Sequence, residues 1–331
     1  MKKQVLIAAV AASMTSVAMA DISITGQMKV NYTNTETGGT AVNAISHEAN
    51  LYIKGQNGDT QFHMELDSDS GDYNADTTAA DDHTSATTTA NLDVEDLWMS
   101  TKIGDVNVKG GTWNGSDTLI SADSARAAGK YVVSTNVGGV GIAVDGATGD
   151  DNTNITLSGE FAGVNASYKI DNDDDELKLS TTIQGITVAY HNHDNNAADE
   201  DKSSVSVSGS VSGFDLTYAR ADADASATIS GDSLFGNVAT MNVGNDGDGM
   251  QAGDDIQGVI ASTSVAGNKV KVVFASIDDA TASADDTDVT KFVVTRPLAS
   301  GATLEVTYQD TDTDGTSNDE EKLDVELAVK F

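Results

Sequence analysis

The chain has 331 residues, no cysteine, a single proline at Pro297 and a formal charge of −34. The clustered Lys and Arg that a phosphate backbone requires are missing, which excludes a nucleic-acid partner, and the lack of cysteine excludes a disulfide framework. No stretch approaches the roughly 18 apolar residues of a membrane helix, so a spanning role would require strands closed into a barrel.

Met1 to Ala20 has the form of a secretory signal: Lys2 and Lys3, an apolar run from Val5 to Ala12, then Ala18-Met19-Ala20 before Asp21. Cleavage is expected after Ala20, leaving 21–331 as one domain and moving the formal charge from −34 to −36. In Asp21 to Thr33, Ile22, Ile24, Met28, Val30 and Tyr32 share one face, and Ser23, Thr25, Gln27, Lys29 and Asn31 the other. This is a strand period. A Thr/Asn/Gly loop is expected next, then a strand over Glu48 to Lys54. Asn57-Gly58-Asp59 turns tightly into Thr60 to Asp67, where Phe62, Met64 and Leu66 alternate with Gln61, His63 and Glu65.

From there short turns and long loops take turns along the chain. Tight turns are expected at Gly104-Asp105, Gly138-Gly139, Ala162-Gly163, Gln184-Gly185, Ser212-Gly213, Ala266-Gly267 and Ser300-Gly301. Between them lie polar, mostly acidic loops, among them 68–91, 112–128, 222–255, 278–288 and 310–321. Short turns on one rim and long loops on the other define an outer-membrane barrel pattern. A strand on each side of every turn gives 18 antiparallel strands, with 16 as the alternative. Ser204, Ser206, Ser208 and Ser210 share one strand face; four serines cannot fill an apolar core, but they can line water. Tyr168, Tyr190, Tyr218, Phe274 and Tyr308 recur near the loop end of their strands, as an interfacial girdle would. Lys322 to Phe331 alternates to its last residue, and a closed barrel must pair that strand with the first.

The signal segment, the strand Asp21 to Thr33, the hairpins LYIKGQNGDTQFHMELD (Leu51 to Asp67) and DLWMSTKIGDVNVKGGTW (Asp96 to Trp113), and the terminal Phe331 together resemble the Gram-negative general porin family. The resemblance implies a water-filled outer-membrane channel surrounded by lipid, a homotrimer, and recognition of Phe331 by the barrel-assembly machinery. It also implies that the loop after the fifth strand, 113–128, folds inward and narrows the pore. Acidic groups there, Asp117 and Asp123, would face basic groups on the wall, for which the polar faces offer Lys54, Lys109, Lys130, Lys169 and Lys178. The family's proline-glutamate-phenylalanine-glycine loop signature is missing. The implied function is passive diffusion of small hydrophilic solutes and ions. Acidic loops favour cations at the mouth and wall lysines oppose them, so a weak to moderate cation preference is expected.

Other chemistry is sparse. No hydrolase, nucleotide or dinucleotide motif has the right flanks, and no Ser-His-acid set stands on one strand face, so an enzyme is not expected. His191 and His193 share a face two residues apart, a weak metal pattern. Asp310, Asp312, Asp314, Gly315 and Glu321 match a calcium-loop spacing, with Glu321 at the twelfth position, although strands flank it. No cofactor is required, and Ca2+ at this extracellular loop is the one candidate. A secreted calcium-binding β-solenoid or adhesin is the alternative, and it would need a fixed repeat period.

Overall fold

The computed structural model describes residues 21–74, 91–115, 120, 129–148, 153–171, 174–195, 200–227, 229, 235, 252–278, 280, 286–313 and 319–331. Residues 1–20, with the expected cleavage site, lie outside this set, as do Asp117, Asp123 and Asp314. The described residues form one 18-stranded antiparallel sheet in which each strand pairs with its sequence neighbour and β1 pairs with β18. In chain order the strands are β1 (Asp21–Thr37), β2 (Thr40–Asn57), β3 (Thr60–Asn74), β4 (Asn91–Ile103), β5 (Val106–Thr112), β6 (Lys130–Val137), β7 (Val140–Gly146), β8 (Thr153–Phe161) and β9 (Val164–Ile170). The second half is β10 (Asp174–Ile183), β11 (Ile186–Asn195), β12 (Glu200–Val211), β13 (Phe214–Ala223), β14 (Asp255–Val265), β15 (Asn268–Asp278), β16 (Thr287–Pro297), β17 (Ala302–Thr313) and β18 (Glu320–Lys330). The sheet is a closed ring rather than a stack of repeats, so the solenoid alternative falls and the count of 18 holds over 16. Strands about 4.8 Å apart and tilted by about 40° make such a ring roughly 36 Å across between backbones.

The tight-turn rim follows from backbone chemistry. At Ala162-Gly163, Gln184-Gly185, Ser212-Gly213 and Ala266-Gly267 both residues have positive φ. Two positive φ values define the primed turn whose twist matches that of its flanking strands, and glycine at the second position makes it affordable.

Two stretches expected as loops are strand. Residues 34–47 complete a tall hairpin in which β1 and β2, of 17 and 18 residues, meet at Gly38-Gly39. Membrane crossing takes about 9–11 residues, so this hairpin rises above the bilayer. Its Thr- and Asn-rich sequence hides the pairing because both faces there meet water. Likewise β17 runs to Thr313 and β18 starts at Glu320, so Asp310 and Asp312 are strand residues and Asp310 is the register partner of Glu321. Asp314 and Gly315, which complete the calcium-loop spacing, lie outside the described residues.

The outward face is apolar around the ring, including Ile24, Met28, Leu97, Val133, Leu157, Val188, Val207, Val259 and Leu327, all left exposed by the protein. Tyr32, Tyr168, Tyr190, Tyr218 and Phe274 stand outward toward the loop rim, whereas Phe161, Phe214 and Phe331 stand outward at the turn rim. Tyrosine hydroxyls at the loop rim find polar partners: Tyr32 donates to Asn43 at 2.6 Å and Tyr168 to Asp175 at 2.9 Å. Such amphipathic rings suit a headgroup layer. At the seam, Phe331 N–H donates to Gly26 C=O at 2.9 Å and Gly26 N–H to Phe331 C=O at 2.6 Å. The Phe331 ring lies over Gly26, where a Cβ would stand 2.4 Å from its Cε2. Phe62 covers Gly55 in the same way. An aromatic that folds over a bare glycine restores contacts the glycine cannot make.

Candidate functional site

Strand alternation sends the other face inward, and every lysine in the strands is on it. Lys54, Lys109, Lys130, Lys169 and Lys178 all face the lumen, in two groups. Lys54 pairs in register with His63, which pairs with Trp98; Lys109 and Lys130 follow on β5 and β6. Lys169 pairs with Glu176 across β9–β10, and Lys178 pairs with His191 across β10–β11. The nearest members of the two groups, Lys130 on β6 and Lys169 on β9, are separated by β7 and β8. The sequence reading passed over Lys29, Lys202, Lys269, Lys271 and Lys291, although Lys29, Lys269 and Lys271 obey the same alternation. Lys202 was hidden because it sits beside an acidic loop, and the strand begins earlier than the composition suggests.

Several wall charges are engaged. Lys29 Nζ bonds Glu48 at 2.9 Å, and Lys322 Nζ lies 3.4 Å from Asp324. Glu176 Oε1 is shared by Lys178 at 2.7 Å and His191 Nε2 at 2.6 Å. The Lys109 ammonium stands 4.3 Å above the Trp98 ring and 4.0 Å above that of Trp113. Both are cation–π distances.

Ser204 is the register partner of His191, so a serine, a histidine and a carboxylate occupy adjacent strands, an arrangement hidden in the linear sequence. It is not wired for acyl transfer: the ring presents Nε2 to the carboxylate, whereas a catalytic histidine keeps that nitrogen for the nucleophile. His193 Nε2 is 4.0 Å from Asp174, so the two histidines address different carboxylates rather than a shared metal position. On the outward face of the loop rim, Arg220 binds Asp222 and also reaches Asp255 at 3.2 Å.

The interior is lopsided. Ile120, from the β5–β6 connection, is fully buried with Ala219 and Ala221 of β13, Ile256 of β14, Val273, Ala275 and Ile277 of β15 and Val289 of β16. These wall residues all face inward, half the ring away from β5. A residue from the β5–β6 connection therefore sits against the opposite inner wall. Ile229 and Phe235, from the β13–β14 connection, join the same cluster, and a Cβ on Gly258 would meet the Phe235 ring at 2.7 Å. This cluster is not legible in the sequence, because single apolar residues inside polar loops carry no period.

A closed ring with an apolar exterior, aromatic rims and a polar, lysine-bearing interior defines a transmembrane β-barrel of the outer-membrane type. Solved barrels share this fold at low sequence identity. OpdQ of Pseudomonas aeruginosa matches with a TM-score of 0.66 at 10% identity, over 95% of this chain and 99% of its own. OccAB4 of Acinetobacter baumannii matches with a TM-score of 0.61 at 13% identity, over 94% and 98%. The outer membrane protein OpdK of Pseudomonas aeruginosa gives 0.64 at 10%, again over 94% and 98%. No family model and no curated protein matches the sequence.

Proposed function

We propose that the protein is an outer-membrane porin of a Gram-negative bacterium, a passive diffusion channel for small hydrophilic solutes and ions rather than an enzyme. The observation that carries this reading is the inner face itself, where Ser204, Ser206, Ser208 and Ser210 follow one another on one strand and every strand lysine points inward. A lumen of hydroxyls and ammonium groups is wetted and passes polar solutes. The burial of Ile120 against β13–β16 supports 113–128 as the constriction; its acidic groups, Asp117 and Asp123, are assigned to work against a basic wall of Lys54, Lys109, Lys130, Lys169 and Lys178. Acidic loops against a basic wall give a weak to moderate cation preference. The homotrimer, cleavage after Ala20, recognition of Phe331 during assembly and Ca2+ binding through Asp310, Asp312, Asp314 and Glu321 belong to the same proposal. For calcium, the register pairing of Asp310 with Glu321 supplies carboxylates on one face of the loop rim.

Reconstitution in a planar bilayer under a KCl gradient tests the reading. Conductance steps in groups of three with a cation-side reversal potential are expected. Silence from a correctly folded barrel would overturn it, and an anion-side reversal would assign selectivity to the lysine wall.

A further inference from the structure

We propose that the lower inner wall carries a metal site built from His63, Glu65 and Asp96, which takes a borderline first-row divalent ion of the zinc class in preference to calcium or magnesium. One ligand atom from each of the three residues lies within 4.8 Å of the others. His63 and Glu65 stand on β3 and Asp96 on β4. A register irregularity between Met64 and Leu66 interrupts the β3–β4 ladder at this point. Continued by one step, the register His63↔Trp98 and Met64↔Leu97 sets Glu65 opposite Asp96 on the lumen face, and the irregularity follows before Leu66↔Val94.

The histidine is built in rather than displayed. It is 8% exposed, and its Nδ1 is buried without a hydrogen-bond partner. A buried imidazole nitrogen left unbonded costs free energy, and a metal ion is one of the few things that satisfies it. The ring is gripped on both sides: Trp98 stacks on it at 5.3 Å between centroids, and Tyr52 approaches at 6.4 Å. Tyr52, whose hydroxyl accepts a hydrogen bond from Asn50 at 3.3 Å, is the register partner of Glu65 and stands beside it on the lumen face. Supports of this kind fix the direction of a ligand.

Geometry and charge select the ion. Zinc bonds of about 2.0–2.1 Å place tetrahedral ligand atoms about 3.3 Å apart, so movements of about 1 Å by the two partly exposed carboxylates close the set around a fixed His63. Three protein ligands leave a fourth position open to the lumen. Lys54 and Lys109 stand beside the cluster and offset the two carboxylates. A hard ion held by net negative charge alone gains little in such a place. An ion that bonds imidazole nitrogen gains most.

Equilibrium dialysis of the folded full-length barrel against zinc, with metal content measured by elemental analysis, tests the site without relying on conductance. One zinc per chain is expected, retained against a large excess of calcium. His63→Gln and Asp96→Asn should each weaken binding at least tenfold, while His191→Gln and His193→Gln leave it unchanged. Heat-modifiable migration confirms that each variant is folded, and Glu65→Gln stands in for any that is not. The proposal is overturned if the folded wild type holds no stoichiometric zinc, if calcium displaces it, or if zinc survives in His63→Gln and Asp96→Asn.

Discussion

Ile120 offers a direct way to release the β5–β6 connection without touching the barrel wall. Its side chain is fully buried in the cluster on β13–β16. Burying an isoleucine contributes about 1.5–3 kcal/mol. At about 1.4 kcal/mol per factor of ten, Ile120→Ala lowers the ratio of seated to released connection by roughly ten- to a hundredfold. Ile120→Asp is harsher, because a carboxylate in that seat is desolvated against Ala219, Ile256, Val273 and Val289. Single-channel recording reads both. The alanine variant is expected to show added open-channel noise as the connection leaves and returns, and the aspartate variant a larger steady conductance. If folded Ile120→Asp barrels conduct with wild-type amplitude and wild-type noise, the burial of Ile120 does not control the pore and the constriction assigned to 113–128 is wrong.

Gly26→Val places a branched side chain where the Phe331 ring lies, and overpacking of this kind costs about 1–3 kcal/mol, so a smaller heat-modifiable folded fraction is expected on gels. Phe331→Ala should lower the yield of assembled protein in the membrane, and an unchanged yield would refute its role in assembly. Lys109→Glu removes a cation from Trp98 and Trp113 and reverses its charge, so the reversal potential under a salt gradient should move to the cation side; no movement would show that this wall does not sense permeant ions. Calcium should raise the thermal stability of the wild type, and Asp312→Ala or Asp314→Ala should abolish the rise. Without any calcium effect on the wild type, the calcium assignment falls.

The architecture was legible because a barrel wall repeats one instruction. Leu323, Val325, Leu327 and Val329 alternate with Lys322, Asp324, Glu326 and Ala328, and the structure keeps that alternation in register with β1 and β17. Legibility ended where the two faces of a strand meet the same medium. Residues 34–47 and 310–313 rise beyond the lipid, so selection for an apolar face ceases there and strand looks like loop. The lysine positions followed from parity, yet their grouping did not, since Lys169 and Glu176 become neighbours only through register. The meeting of His63 and Glu65 with Asp96 likewise follows from register, while the seats of Ile120 and Phe235 depend on contacts that no periodicity encodes.

The ladder between β1 and β18 runs from Gln27↔Lys330 to Thr37↔Glu320, and Thr33 accepts the company of a residue 291 positions away when its hydroxyl bonds Asp324 at 2.6 Å. All other ladders join strands consecutive in the chain. Assembly can therefore proceed as a row of local hairpins, with a single long-range closure whose entropic cost falls on one pair of strands. That pair is also among the tallest, because β1 continues above the bilayer. Lateral opening of the wall would have to unzip pairs standing in water as well as those in lipid. The extra height of the first hairpin thus acts as a clasp: it holds the cylinder shut at the one place where the chain itself provides no covalent hinge.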